Sequence, residues 1–407
     1  LPPVIGQSLR KYKEKTMHKE TLLATLGCQP EHHRGVVNMP PHRASTILFP
    51  TMAELEAAEG KDIPDVTYGR YGTPTTAALE DTIAQLEGVE HAIVTSSGLS
   101  AIAVSLMAFL KAGDHLLMAD SVYGPSRRFC NNELKRFGVE TTYYDPTIGA
   151  GIKALIKPNT KVIYCESPGS LTFEVQDIPA ISKVAREHDI ILMLDNTWAT
   201  LFYNRPFELG ADIVIHSATK YFSGHSDLVM GSIACRPKHY KNLVLTFRNV
   251  GPCPSGDNCY LALRGLRTMS VRVKQQFENA MVVAKWLKAR PEVEEVLFPA
   301  LPGAPGHELW KRDFTGASSL FAIAMKGGDK KAVAEMVDHL ELFGLGYSWG
   351  GYESLVMPNN LKGRVATTWN YSGPGIRLHI GLEHPDDIIK DLEAGLKRYA
   401  GAAKAAA

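Results

Sequence analysis

Lys220 stands in the run Ser217-Ala218-Thr219-Lys220-Tyr221-Phe222-Ser223-Gly224-His225, directly after the apolar stretch Asp212-Ile213-Val214-Ile215-His216. That stretch reads as a buried parallel strand, which puts Lys220 just past a strand's C-terminal end, where open α/β sheets hold ligands. A second apolar stretch, Ile190-Ile191-Leu192-Met193-Leu194, ends in Asp195-Asn196-Thr197-Trp198. A structural Asp–Lys ion pair is one reading, but buried pairs are costly. A primary amine and a carboxylate on two strand ends suit pyridoxal 5'-phosphate (PLP) better. The amine forms an imine with the aldehyde, and the carboxylate pairs with the pyridinium nitrogen.

Other residues fall on the same predicted sheet edge. Thr95-Ser96-Ser97-Gly98-Leu99-Ser100-Ala101 reads as a strand end, a turn and a helix start. Such an N-terminus favours an anion, so Ser97, Gly98 and Leu99 are candidates for a phosphate cradle with Ser217 and Thr219. A Ser-Gly turn that only caps its helix fits the same letters. Tyr123, in Ser121-Val122-Tyr123-Gly124-Pro125, can stack on a planar ring or be an ordinary loop tyrosine. Tyr68-Gly69-Arg70-Tyr71-Gly72 precedes the first helix of this region; Arg70 can clamp a phosphate or sit solvated. Arg377 is the one obligatory charge in the apolar run Gly375–Gly381, and its carboxylate partner can be protein or substrate. Ser348-Trp349-Gly350-Gly351 reads as a close turn at a site wall or an aromatic core corner.

The elements that position these residues follow from periodicity. Residues 1–62 read as a short helix and an extended arm that packs on a neighbouring subunit. Residues 63–256 alternate strand and helix. The strands are His91–Thr95, His115–Ala119, Glu140–Tyr144, Lys161–Cys165, Ile190–Leu194, Asp212–Ile215 and Leu228–Ala234. The helices are Thr75–Leu86, Gly98–Ala112, Pro125–Phe137 and Ile178–His188. This predicts an α/β domain with a mostly parallel seven-stranded sheet. Residues 257–407 read as a smaller α+β domain that opens on a long helix, Tyr260–Ala289. Strands follow at Val293–Phe298, Ser319–Met325 and Ile376–Ile380, helices at Lys330–Leu340 and Pro385–Tyr399, and a polar loop at Asn359–Ser372.

The 407 residues carry a net charge of +1, which gives no electrostatic reason for nucleic acid or a membrane surface as partner. No apolar run approaches the ~20 residues of a membrane span, and the polar start lacks a signal-peptide core. The six cysteines are scattered without a CxxC pair. They read as free thiols of a cytoplasmic protein, not as a metal site.

Together these residues resemble the Cys/Met-metabolism family of PLP enzymes, over nearly the whole chain from about Leu22. The signature from Asp212 through Gly231 is the most specific part. The resemblance implies an aspartate-aminotransferase-type fold (fold type I) and a homotetramer of two tight dimers with shared active sites. It assigns Lys220 as the cofactor-binding and proton-transferring lysine, Asp195 as the pyridine partner and Tyr123 as the stacking ring. Ser97, Gly98, Leu99, Ser217 and Thr219 match the phosphate cradle. Tyr68 and Arg70 match a pair reaching the phosphate from the neighbouring subunit. Arg377, with Ser348 and Trp349, matches the substrate site. Trp349 stands where γ-active members usually carry Leu, and Ser170 where they usually carry Asn. Both point to the β-eliminating branch acting on an amino-acid thioether such as L-cystathionine. Tyr71 and Arg128 fall near the expected mouth. The γ-lyases and γ-synthases are the alternative activity, and a catalytically idle PLP-binding regulator is the non-enzyme alternative.

Overall fold

The computed structural model describes residues 17–406. The strands of the first sheet are β1 His91–Thr95, β2 His115–Ala119, β3 Glu140–Tyr144, β4 Thr160–Glu166, β5 Ile191–Asp195, β6 Ile213–His216 and β7 Gly231–Cys235. They form one seven-stranded sheet in the order β1-β7-β6-β5-β4-β2-β3. Strand β7 runs antiparallel to both neighbours, and all other pairs are parallel. Strands β1 to β6 therefore point the same way, and their C-terminal ends share one edge. The central strands are buried on both faces, which is why they read as unbroken apolar runs rather than alternating ones.

Helices cover the sheet. Pro74–Glu87 begins at Thr73, whose hydroxyl accepts from the Thr76 amide, and stops at Gly88 with φ +74°. Gly98–Met107 follows β1, and Ile178–Glu187 is capped by Asp177. The long helix Gly256–Lys288, capped by Ser255, leads to a second sheet. Its strands are β8 Val293–Leu297, β9 Leu320–Met325, β10 Gly344–Leu345, β11 Leu355–Pro358 and β12 Gly375–His379. The order is β10-β11-β12-β9-β8, and helices Lys330–Val337 and Pro385–Ala406 pair beside it.

Several expectations shift. The arm before residue 62 is not simply extended: helix Met52–Glu59 interrupts it, capped by Thr51. The seventh strand begins at Gly231 rather than Leu228, because the backbone N–H and C=O of Met230 are held by the Thr219 hydroxyl. The helix expected at Pro125–Phe137 runs unbroken over 124–136, but widens to a π-helix at Cys130–Leu134. Helix Gly98–Met107 stops short of Ala112, with Asp114 accepting from the Lys111 amide in the turn that follows. Helix Pro237–Val250 and the short strands β10 and β11 were not anticipated. The polar loop falls as expected, between β11 and β12. All six cysteines are unpaired. No helix among the described residues is long and apolar enough to cross a membrane.

Candidate active site

Lys220 follows β6, and its side chain spans the gap to the second sheet. Its Nζ donates to Ser348 Oγ at 2.6 Å and lies 5.1 Å from the centre of the Trp349 ring. Burial drives the Lys220 amine down to about 8, and the nearby Arg377 charge adds to this against the pull of Asp195. Arg377, on β12, donates to the Ser348 carbonyl at 3.1 Å. Burial brings its guanidinium down to about 10, and it has no carboxylate at ion-pairing distance among the described residues. The turn that holds Ser348 and Trp349 is tight: Ser348 has φ +81° and Gly350 φ +86°. A Cβ on Gly350 would lie 3.1 Å from the Lys220 backbone, so only glycine lets the two segments approach this closely.

Beneath that turn lies His379, fully buried. Its Nε2 is 3.1 Å from the Gly350 amide and 3.2 Å from the Gly351 carbonyl, and its Nδ1 is 3.1 Å from Ser319 Oγ. Burial pushes its pKa down to about 3, so the ring is neutral at working pH and acts through hydrogen bonds alone.

Asp195 ends β5. Its Oδ1 accepts from the Thr197 amide at 3.0 Å and the Thr197 hydroxyl at 2.5 Å, while Oδ2 has only the Tyr164 hydroxyl at 3.5 Å. One oxygen is thus fixed and the other nearly unoccupied, the arrangement a pyridinium N–H requires. Thr197 Oγ1 also accepts from the Ser217 amide at 2.8 Å, tying Asp195 to the segment that carries Lys220. Beside Asp195 in register is Glu166, at the end of β4, whose Oε2 accepts from the Tyr123 amide at 2.7 Å. Burial raises both carboxyls, and at Glu166 the neighbouring Asp195 charge adds to it. The hydroxyl bonds to Asp195 favour the charge there and the proton on Glu166. Tyr123 is half exposed at the start of Gly124–Phe129, and burial of its hydroxyl raises its pKa.

The candidate anion cradle lies at the start of helix Gly98–Met107. Ser97 caps Gly98–Met107 in a reciprocal box with Ser100, so its hydroxyl serves the helix. The Gly98 and Leu99 amides, first in the helix, lack a carbonyl partner within it. A Cβ on Gly98 would sit 2.7 Å from Ser217 Oγ, so this glycine lets Ser217 close the cradle. Thr219 is different. Its hydroxyl donates to the Met230 carbonyl at 3.1 Å and accepts from the Met230 amide at 3.0 Å, so a phosphate contact requires it to rotate. Tyr68 and Arg70 are not brought to Lys220 within the chain. Ser45 Oγ donates to the Tyr68 hydroxyl, and Arg70 bonds the Arg248 carbonyl and the Tyr71 hydroxyl. Arg128 is exposed and close enough to Tyr123 to act on its ionisation.

Sequence reasoning missed Glu166, Thr197, Tyr164 and His379. Glu166 carried a signal: a carboxylate ending an apolar run beside the Asp195 strand. His379 carried none, since in the run Gly375–Gly381 the charge of Arg377 draws the attention and a single neutral histidine reads as part of the core.

A strand-end lysine with a low pKa, a half-free buried aspartate and a helix N-terminus gather at one edge of a largely parallel sheet, the groups that PLP would require. The chain belongs to the Cys/Met metabolism PLP-dependent enzyme family, whose sequence model matches residues 20–397. It is 41% identical to cystathionine beta-lyase MetC of Escherichia coli over 387 residues, covering 93% of this chain and 98% of that one. It is 43% identical to an L-alanine/L-glutamate racemase of Wolbachia pipientis over 398 residues, covering 94% and 98%. The structure of cystathionine gamma synthase from Xanthomonas oryzae pv. oryzae in complex with aminoacrylate and cysteine superposes with a TM-score of 0.86 at 31% identity, covering 95% of this chain and 100% of that one.

Proposed function

We propose that this protein is a carbon–sulfur lyase that catalyses α,β-elimination from L-cystathionine, giving L-homocysteine, pyruvate and ammonia with uptake of one water. The observation that carries the reading is the shared wall of Lys220, Ser348 and the unpaired Arg377. It offers a base and a carboxylate site side by side. PLP, when bound, supplies an electron sink for the pair left at Cα. Asp195 would pair with the pyridine nitrogen, and Tyr123 would stack on the ring. Arg377 takes the substrate α-carboxylate in two charged hydrogen bonds, which orients the Cα–H bond. Lys220, already half neutral near pH 8, removes the Cα proton. The departing thiolate takes a proton from Lys220 or from Tyr123, whose raised pKa keeps its hydroxyl protonated. Tyr68 and Arg70 would complete the cradle of a neighbouring subunit, which makes a pair of subunits the smallest unit with complete sites, within the homotetramer the resemblance implies.

A second reading is favoured by one finding, the 43% identity to a racemase. Exchange of the same Cα proton without loss of a β-group needs the same base and the same carboxylate clamp. Incubation of the PLP-loaded protein with L-cystathionine and, separately, L-alanine separates the readings. Pyruvate with homocysteine supports the β-lyase. Cysteine with 2-oxobutyrate replaces it with a γ-lyase. D-Alanine without pyruvate replaces it with a racemase.

A further inference from the structure

Asp120 follows β2, three residues before Tyr123, and its side chain is entirely buried. It gathers donors from the far side of the cleft. The Val365 amide reaches both oxygens at 3.1 Å, and the Ala366 and Thr367 amides reach Oδ2 at 2.9 Å. The Thr367 hydroxyl adds a bond of 2.8 Å. These donors lie in the loop between β11 and β12, which belongs to the second sheet. Three successive amides converging on one carboxylate form an anion nest filled by a protein group.

The same carboxylate is bound by Arg127. Its Nη2 donates to Asp120 Oδ1 at 2.6 Å and to the Asp120 carbonyl at 2.8 Å, while Nη1 donates to the Gly363 carbonyl at 2.9 Å. The guanidinium also lies 3.8 Å from the centre of the Tyr143 ring. Asp120 and Arg127 therefore close the ends of the segment that contains Tyr123 and clamp the loop from both sides. The loop continues through Thr368, Trp369 and Tyr371, which wall a cavity of about 380 Å³ together with Arg364 and Glu174. Burial alone would raise the Asp120 carboxyl, but the loop amides and Arg127 outweigh it and hold it below its ordinary value.

We propose that Asp120 is a positioning residue: with Arg127 it latches the 359–374 loop of the second sheet onto the strand end that carries Tyr123, fixing the Tyr123 ring and the closure of the cleft. The kinetic part rests on the lyase reading; the structural part does not. Asp120 touches neither cofactor nor substrate, and acts through Tyr123 and the loop.

The test uses the PLP-loaded protein with Asp120→Asn and, as a milder cut, Thr367→Val. Three quantities are read: kcat/KM for L-cystathionine, the visible circular dichroism of the bound cofactor, and the rate of tryptic nicking at Lys362 and Arg364 within the loop. Asp120→Asn is expected to lower kcat/KM by about tenfold or more, weaken the visible dichroism and speed nicking by about fivefold, with an unchanged far-ultraviolet spectrum. A lower melting temperature with nicking, dichroism and kcat/KM all within twofold of the parent overturns the latch. Should Asp120→Asn fail to fold, Thr367→Val decides in the same way, through faster nicking or none. A parent protein that yields no pyruvate removes the lyase reading, while nicking and dichroism still judge the latch.

Discussion

Lys220 Nζ donates to Ser348 Oγ at 2.6 Å, so the amine that ends a strand of the parallel sheet is held by the second sheet's Ser348–Gly351 turn. Ser348 reaches this position at φ +81°, an unfavourable conformation for a serine that the Gly350 turn and the buried His379 stabilise. The hydroxyl aims the amine, and the strained backbone aims the hydroxyl.

Ser348→Ala is therefore expected to lower kcat for L-cystathionine by about tenfold, the loss of one hydrogen bond to a charged or charging amine, with KM changed little. Cofactor affinity should hold, because the bond does not belong to the phosphate cradle. Steady-state kinetics with spectroscopic titration of PLP checks both. An unchanged kcat would mean that Lys220 positions itself without the serine.

The lowered pKa of Lys220 sets a pH dependence for cofactor capture. A protonated amine cannot attack the aldehyde of PLP. At pH 7 an amine titrating at about 8 is about a tenth neutral, against about three in ten thousand for one at 10.5. The sign follows: capture by apoprotein should accelerate with unit slope as pH rises toward 8 and level off above it. Stopped-flow absorbance on mixing apoprotein with PLP measures this. A rate still climbing at pH 10 would contradict the burial-lowered amine.

What the sequence made legible was the set of strand ends. Lys220, Asp195, Tyr123 and Gly98 each follow a long apolar run, and a parallel sheet buried on both faces writes such runs plainly. Contacts that cross between sheets were not legible. Nothing in the letters around Ser348 says that its hydroxyl meets Lys220 across 128 positions, and the apolar run of β12 conceals His379 as a partner of Gly350. The short strands β10 and β11 escaped notice because two or four residues carry no measurable alternation. Thr219 looked like a phosphate ligand by its place beside the lysine, yet its hydroxyl bonds Met230, a backbone choice that local sequence does not encode.

Glu166 offers a test of which neighbouring carboxyl holds the proton. Burial and the Asp195 charge raise it well above its ordinary 4.5. A group whose folded pKa is raised binds more protons folded than unfolded, so its contribution to stability falls as pH climbs past the unfolded value. Glu166→Gln keeps an oxygen for the Tyr123 amide and removes that dependence. Its melting temperature relative to the parent should rise as pH climbs above the ordinary carboxyl range, and its activity should remain within about threefold. Glu166→Ala, which strands the Tyr123 amide, should cost stability at every pH. A Gln variant whose relative stability does not change with pH would place the proton elsewhere.

Arg377 makes the sharpest claim about substrate. It is a largely buried guanidinium whose one polar partner within hydrogen-bond distance, among the described residues, is the Ser348 carbonyl at 3.1 Å. Its pKa, lowered by burial to about 10, still leaves it charged throughout the working range. Such a cation is destabilising until an anion arrives, so the protein without substrate bears a cost that a carboxylate relieves. Arg377→Ala removes both the cost and the clamp. The folded protein should become no less stable, while KM for L-cystathionine rises by about a hundredfold, the loss of ~3 kcal/mol of charged hydrogen bonding. Substrate analogues lacking the α-carboxylate should bind parent and variant alike. Arg377→Lys should recover only part of the affinity, because an ammonium cannot grip a carboxylate through two parallel bonds. Calorimetric melting and KM measurements on the three proteins decide it: a variant that loses stability but keeps its KM would show that Arg377 supports the fold and leaves the substrate to another residue.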